Sequence, residues 1–121
     1  KLQQYTFVCA PSIAQYGALA ALDADISGHV EEYRRKRDLV AERLGGTFEL
    51  ARPGGGFYFF PRVPARFPNA TAFVEEAIRN NVLIIPGSVF SQKDTHFRLS
   101  YATTNDKIER GCEILCRIAK G

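Results

Sequence analysis

The sequence contains no methionine and no tryptophan, three cysteines and two histidines. A chain that begins at Lys1 and has no methionine is not a complete translation product as it stands, so an excised or processed piece is expected. Cys9, Cys112 and Cys116 have no disulfide-scaffold spacing, which argues against a stapled secreted domain and fits a reducing, cytoplasmic setting. Cys112 and Cys116 fall four apart on one expected helix, and neither His29 nor His96 completes a tetrahedral set. Core packing is therefore expected of them, and no metal. No apolar run reaches membrane-spanning length and no charged-then-apolar leader opens the chain, so no membrane partner is expected. Charge of one sign is also scarce, with 16 basic against 13 acidic residues. Much of it falls between Glu31 and Arg37, where Glu31 with Arg35 and Glu32 with Lys36 stand one helical turn apart. No aromatic platform is interleaved with that run, so it reads as a solvated helix face and not as a nucleic-acid surface.

What remains is an ordinary composition, 45% hydrophobic and 24% charged, sufficient for one core over residues 1–121. Lys1 to Val8 reads as irregular. Ser12 can cap a tight-packing helix containing Ile13, Tyr16 and Ala20, and Asp23 or Asp25 can cap the longest helix, running to about Leu44. In that helix Ile26, Val30, Tyr33, the stem of Arg37, Val40 and Leu44 form one stripe, and Gly45-Gly46 ends it. Strands are expected at Thr47 to Ala51 and Phe57 to Val63, paired as a hairpin across the Pro53-Gly54-Gly55-Gly56 turn. A strand follows these glycines where a phosphate cradle would need a helix, so they predict a close-approach turn. Asn69 or Thr71 caps a helix burying Phe73, Val74, Ala77 and Ile78, closed by Asn80-Asn81. Val82 to Ile85 and Phe97 to Ala102 are further strands, and the last helix carries Ile108, Cys112, Leu115 and Ala119. The expected fold is α/β (α+β), a two-layer sandwich in which helices cover a small mixed sheet of about four strands, with a long N-terminal helix.

Arg98 is the residue with a chemical role to explain. In HFRLSYA, Phe97, Leu99 and Tyr101 alternate with Arg98, Ser100 and Ala102, so the arginine points away from the core between two small neighbours. Open space around its planar fork suits two-point capture of a carboxylate or phosphate. A wet-face arginine on a half-exposed sheet is the commoner meaning of the same pattern. Catalytic groups are poorly represented. None of Lys1, Lys36, Lys93, Lys107 and Lys120 sits in an apolar setting, Glu75 and Glu76 are adjacent on a helix and point apart, and neither histidine has a triad-like context. No catalytic residue is assigned.

The phrase PGGGFYFFPRV, then VLIIPGSVF, then FRLSYATTNDKIERGCEIL resembles the C-terminal segment of the class I/II, aspartate aminotransferase-like enzymes of fold type I. QQYTFVCAPSIAQYGALAAL resembles the stretch after their cofactor lysine. The likeness covers essentially the whole chain. It implies the small domain with part of the connecting helix, the catalytic large domain being absent, from a protein about three times as long that uses pyridoxal 5'-phosphate for amino-group transfer between an amino acid and a 2-oxo acid. The family's cofactor lysine, the acid for its pyridine nitrogen and its phosphate cup match nothing here, so the isolated chain is expected to be inactive and to bind no cofactor. Arg98 matches the arginine that holds the substrate α-carboxylate, and Phe57 an aromatic lining the substrate pocket. Tyr5 and Thr6 match a segment that reaches the neighbouring subunit of a homodimer. Ser91-Gln92-Lys93 stands where related sequences carry glycines, and Lys1 to Gln15 has no arginine of the kind some dicarboxylate-specific relatives use. The alternative from the residues alone is a non-enzymatic module that binds a small carboxylate or an amino acid.

Overall fold

The computed structural model describes every residue except Phe7. The chain divides into two compact units, Lys1–Val30 and Glu31–Gly121. In the first, α1 spans Leu2–Thr6 and α2 spans Ser12–Leu22. The opening stretch expected to be irregular is thus helical over Leu2–Thr6. Ser12 is the first helical residue of α2 and not its cap; Pro11 holds that position, without a side-chain hydrogen bond. The expected tight packing of α2 is not found within its unit, where Ile13, Tyr16 and Leu22 are 83%, 75% and 83% exposed. A segment this short cannot enclose a core of its own. The next helix, α3 (Ser27–Gly45), starts where Asp25 accepts a hydrogen bond from the Ser27 amide at 2.9 Å.

The second unit carries the core. Val40 and Leu44 of α3 are buried, but the expected stripe does not extend back: Ile26 and Val30 remain exposed. Lys36 pairs with Glu32 as its spacing predicts, whereas Glu31 pairs with Arg34 at 2.8 Å and not with Arg35. Strands β1 (Tyr58–Phe59), β2 (Ile85–Pro86) and β3 (Phe97–Ser100) form an antiparallel sheet in the order β1-β3-β2. Tyr58 pairs with Ser100 and Phe59 with Leu99 on one side; Ile85 pairs with Arg98 and Pro86 with Phe97 on the other.

The sheet therefore has three antiparallel strands where about four in a mixed sheet were expected. Thr47 to Ala51 is not a strand because the amides of Thr47 and Phe48 both bond back to the Leu44 carbonyl, continuing the end of α3. The expected hairpin shrinks to one bond, from the Arg62 amide to the Glu49 carbonyl at 2.9 Å. Pro61 has no amide proton and cuts β1 short. Val82 still bonds to Ala77, so the next strand begins only at Ile85.

Helix α4 (Ala70–Arg79) starts at Asn69, whose side chain accepts from the Ala72 amide at 2.9 Å. It ends at Asn80, after which Asn81 turns to φ 62°. With α5 (Asn105–Lys120) and α3 it covers one face of the sheet. Phe73 lies 4.9 Å from Phe97 and 5.8 Å from Phe48, contacts of about 0.5–1.5 kcal/mol each beyond area burial. Cys112 packs as a core filler on α5 with Ile108, Leu115 and Ile118, while Ala119 is only partly covered. Ile78, expected inside α4, is 51% exposed.

Candidate functional site

The face of the sheet away from this core bears Arg98. Its strand neighbours Phe97 and Tyr101 are buried, so backbone alternation turns Arg98 outward. Because Tyr58 pairs with Ser100, Tyr58 stands diagonal to Arg98 on the same face. The guanidinium carbon lies 4.6 Å from the centroid of the Tyr58 ring and 4.7 Å from that of Phe90. Among the described residues no carboxylate stands within ion-pair distance of Arg98. A guanidinium that stacks its π face on a ring keeps its N–H edge, which is the edge that meets a carboxylate, available for a ligand.

Phe90 reaches Arg98 by a tight route. Gly87–Val89 forms a single 3-10 turn after β2, and the Phe90 amide bonds to the Gly87 carbonyl at 2.9 Å. Gly87 donates its amide to the His96 carbonyl at 2.7 Å, and a Cβ on Gly87 would lie 2.6 Å from that oxygen. Only glycine fits there. The Phe60 ring stacks on His96 at 5.4 Å and meets Phe90 edge-on at 6.5 Å. The loop before β3 is tied to α4: Asp94 accepts from the Thr71 amide at 3.2 Å and hydroxyl at 2.7 Å. Hydrogen bonding from the Thr71 hydroxyl holds the Asp94 carboxyl below its ordinary value.

The glycine turn sets the other side. Gly56 has φ +74°, a conformation that favours glycine, and its carbonyl accepts from the Tyr101 hydroxyl at 2.8 Å. Burial pushes the Tyr101 pKa up. The close approach expected of this turn is not made among the described residues, since a Cβ on Gly54, Gly55 or Gly56 would meet none of their atoms within 4 Å. The Phe57 ring meets that of Tyr58 tilted by 44° with centroids 4.4 Å apart and lies 6.2 Å from Tyr33, so it touches the Arg98 group through Tyr58. Tyr5 is 84% exposed, and the Thr6 hydroxyl bonds to the Leu2 carbonyl within α1 at 3.1 Å.

The Arg98 face is open: Phe57 and Tyr58 are 40% exposed and Phe90 50%. Hollows lie elsewhere: one of about 560 Å³ lined by Val82, Leu83, Leu99, Lys107, Ile108 and Ile114, one of about 510 Å³ lined by Arg43, Thr47, Glu109 and Cys116, and one of about 370 Å³ beside Arg62 and Asp94. Among the described residues no group of three or more His, Cys, Asp or Glu side chains gathers, and no helix is long and apolar enough to cross a membrane. Tyr58 and Phe90 escape a reading by motif. Strand alternation could have found Tyr58, which is out of phase with Phe59; no local signal points Phe90 at Arg98.

No family model matches the chain. Individual proteins do. It is 37% identical to the probable aspartate aminotransferase of Methanocaldococcus jannaschii over 98% of this chain and 32% of the relative's length. It is 32% identical to aromatic-amino-acid aminotransferase 2 of Thermococcus litoralis over 99% of this chain and 33% of that protein. Among solved structures, the aspartate aminotransferase of Thermotoga maritima superposes with TM-score 0.89 at 30% identity, over 99% of this chain and 32% of that one. The aromatic aminotransferase of Pyrococcus horikoshii gives 0.88 at 31% identity, over 98% of this chain and 34% of that one. The chain thus spans about a third of the length of the relatives it matches. By sequence and by fold it belongs to the aspartate aminotransferase-like aminotransferases of fold type I, of which it is the C-terminal portion.

Proposed function

We propose that this chain supplies the substrate-carboxylate clamp of a pyridoxal-phosphate-dependent aminotransferase, with Arg98 as the clamp. The observation that carries this is the state of the guanidinium: it is held over Tyr58 and Phe90 and pairs with no carboxylate among the described residues. A free edge on a fixed arginine meets both oxygens of one carboxylate, fixing the distance and direction of the amino acid's α-carbon. Phe57, whose ring contacts Tyr58, is the aromatic that lines the substrate pocket in this reading. Tyr5 and Thr6 serve as contacts across the interface of a homodimer.

The cofactor implied by the relatives would supply the electron sink for amino transfer. This chain's residues do not fit it. Lys36 is ion-paired with Glu32, Lys1, Lys93, Lys107 and Lys120 are exposed, and Asp38 and Asp94 are engaged by Arg37, Arg52 and Thr71. Cofactor binding and proton transfer belong to the large domain, which is this chain's intramolecular partner in our reading. The three free cysteines agree with a cytoplasmic setting.

The test joins the chain to the other two-thirds of the protein and measures amino transfer from amino acids to 2-oxo acids. Arg98→Leu is expected to lower kcat/KM by an amount equivalent to about 2–5 kcal/mol, the scale for removing one partner of a desolvated charge pair. An unchanged kcat/KM removes Arg98 from the role. The non-enzymatic module makes the opposite prediction for the isolated chain: micromolar binding of amino acids by calorimetry, with no cofactor present.

A further inference from the structure

We propose that Phe90 and Tyr58 are positioning residues for Arg98, holding its guanidinium by the π face so that the N–H edge is presented to the substrate carboxylate. The inference rests on the reading of Arg98 as the clamp and adds what makes the arginine a clamp. An arginine side chain has several freely rotating bonds, and one projecting from an open sheet face sweeps a wide volume unless something restrains it. Here no ion pair does so among the described residues, and the restraint on view is aromatic: rings at 4.6 Å and 4.7 Å from the guanidinium carbon.

The two rings come from separate parts of the chain. Tyr58 is fixed by sheet register, diagonal to Arg98 across the β1–β3 ladder. Phe90 is delivered by the Gly87 turn and meets Phe60, which stacks on His96 two residues before Arg98. Gly87 packs against the same pair, with Phe60 Cζ at 3.1 Å and the His96 carbonyl at 2.6 Å from where its Cβ would be. The position of the second ring is thereby tied to the backbone that carries the arginine. Neither ring is a core residue, as Tyr58 is 40% and Phe90 50% exposed, so replacing either leaves the packed face untouched. Both rings use surface of the guanidinium that a bidentate carboxylate does not need.

The test uses the full-length protein and compares each amino acid substrate with its amide, which lacks the carboxylate. Phe90→Leu and Tyr58→Leu are each expected to raise KM for the amino acid about three- to tenfold while leaving KM for the amide within about twofold. Phe90→Tyr and Tyr58→Phe, which keep a ring face, are expected to restore the parent value. Equal effects on acid and amide, or a fall in kcat alone, indicate a structural role and overturn the proposal. Arg98→Leu serves as reference and is expected to abolish the preference for acid over amide. If it does not, the clamp reading fails; if it does, and both leucine variants keep the parent preference, the positioning inference alone fails.

Discussion

The Tyr101 hydroxyl donates to the Gly56 carbonyl across 2.8 Å, tying the chain just beyond β3 to the glycine turn that precedes β1. The Tyr101 amide bonds to the Phe57 carbonyl at 3.0 Å, so two bonds from one residue fix the turn from which Phe57 and Tyr58 project. The strand that bears Arg98 therefore also determines where its aromatic neighbours stand.

Tyr101→Phe keeps the buried ring and removes only the hydroxyl bond. The loss expected is about 0.5–1.5 kcal/mol of unfolding free energy, nearer the lower end because Gly56 is exposed and its carbonyl can take water. Urea denaturation measures this. A variant as stable as the parent would show that the bond contributes nothing to holding the turn.

Gly87→Ala tests the tightest approach in the site. An added methyl would sit 2.6 Å from the His96 carbonyl, a backbone atom that cannot turn aside. Destabilisation of about 1–3 kcal/mol is expected, since relief requires moving backbone on one side of the β2–β3 ladder. Gly54→Ala is the matched control. Its methyl meets nothing within 4 Å, and a change of at most about 0.5 kcal/mol is expected in the same denaturation series.

Much of this arrangement is legible in the residues alone, because it follows from periodicity. Alternation in HFRLSYA sends Arg98 outward while Phe97 and Tyr101 enter the core, and spacing puts Ile108, Cys112 and Leu115 on the inner face of α5. Asn69 announces α4 by its side-chain chemistry. Three features resist such reading for distinct physical reasons. Thr47 to Ala51 has strand-forming residues, but its first amides are taken by the Leu44 carbonyl, and hydrogen bonding overrides propensity. Ile13, Tyr16 and Leu22 are apolar and exposed because, among the described residues, their 30-residue unit buries no core to receive them. Phe90 lies eight residues from Arg98 and meets it through a turn whose geometry depends on one glycine.

The cysteines should separate sharply by reactivity. Cys112 is buried in the α5 core, and burial pushes its pKa from 9.0 up to about 12, whereas Cys9 is exposed. At pH 8 a maleimide is expected to label Cys9 rapidly and Cys112 only on unfolding, because the thiolate is the reacting species. The pH dependence has a definite sign. A folded-state pKa above the unfolded one favours the native chain below pH 9, and that contribution is lost as pH rises from 9.0 towards about 12. Labelling of Cys112 at the Cys9 rate in native buffer would contradict its place in the core.

Asp94 gives the opposite dependence at the acid end. Its carboxylate accepts from both the amide and the hydroxyl of Thr71, and its own carbonyl accepts from the Ala70 amide at 2.9 Å, so it fastens the start of α4 to the loop leading into β3. The Thr71 hydroxyl bond is the largest cause of its lowered pKa. With the folded value below 3.8, the contribution of the charged form to stability is fully present above that pH and disappears as pH falls through the folded value. Asp94→Asn retains an acceptor for Thr71 but cannot titrate. The stability difference between parent and variant should therefore be constant at neutral pH and shrink only below about pH 4. A carbon-13 titration of the Asp94 carboxyl should show a midpoint below 3.8. A midpoint at or above that value would mean that the Thr71 bonds do not favour the ionised carboxylate, and the loop before Arg98 would then need another anchor.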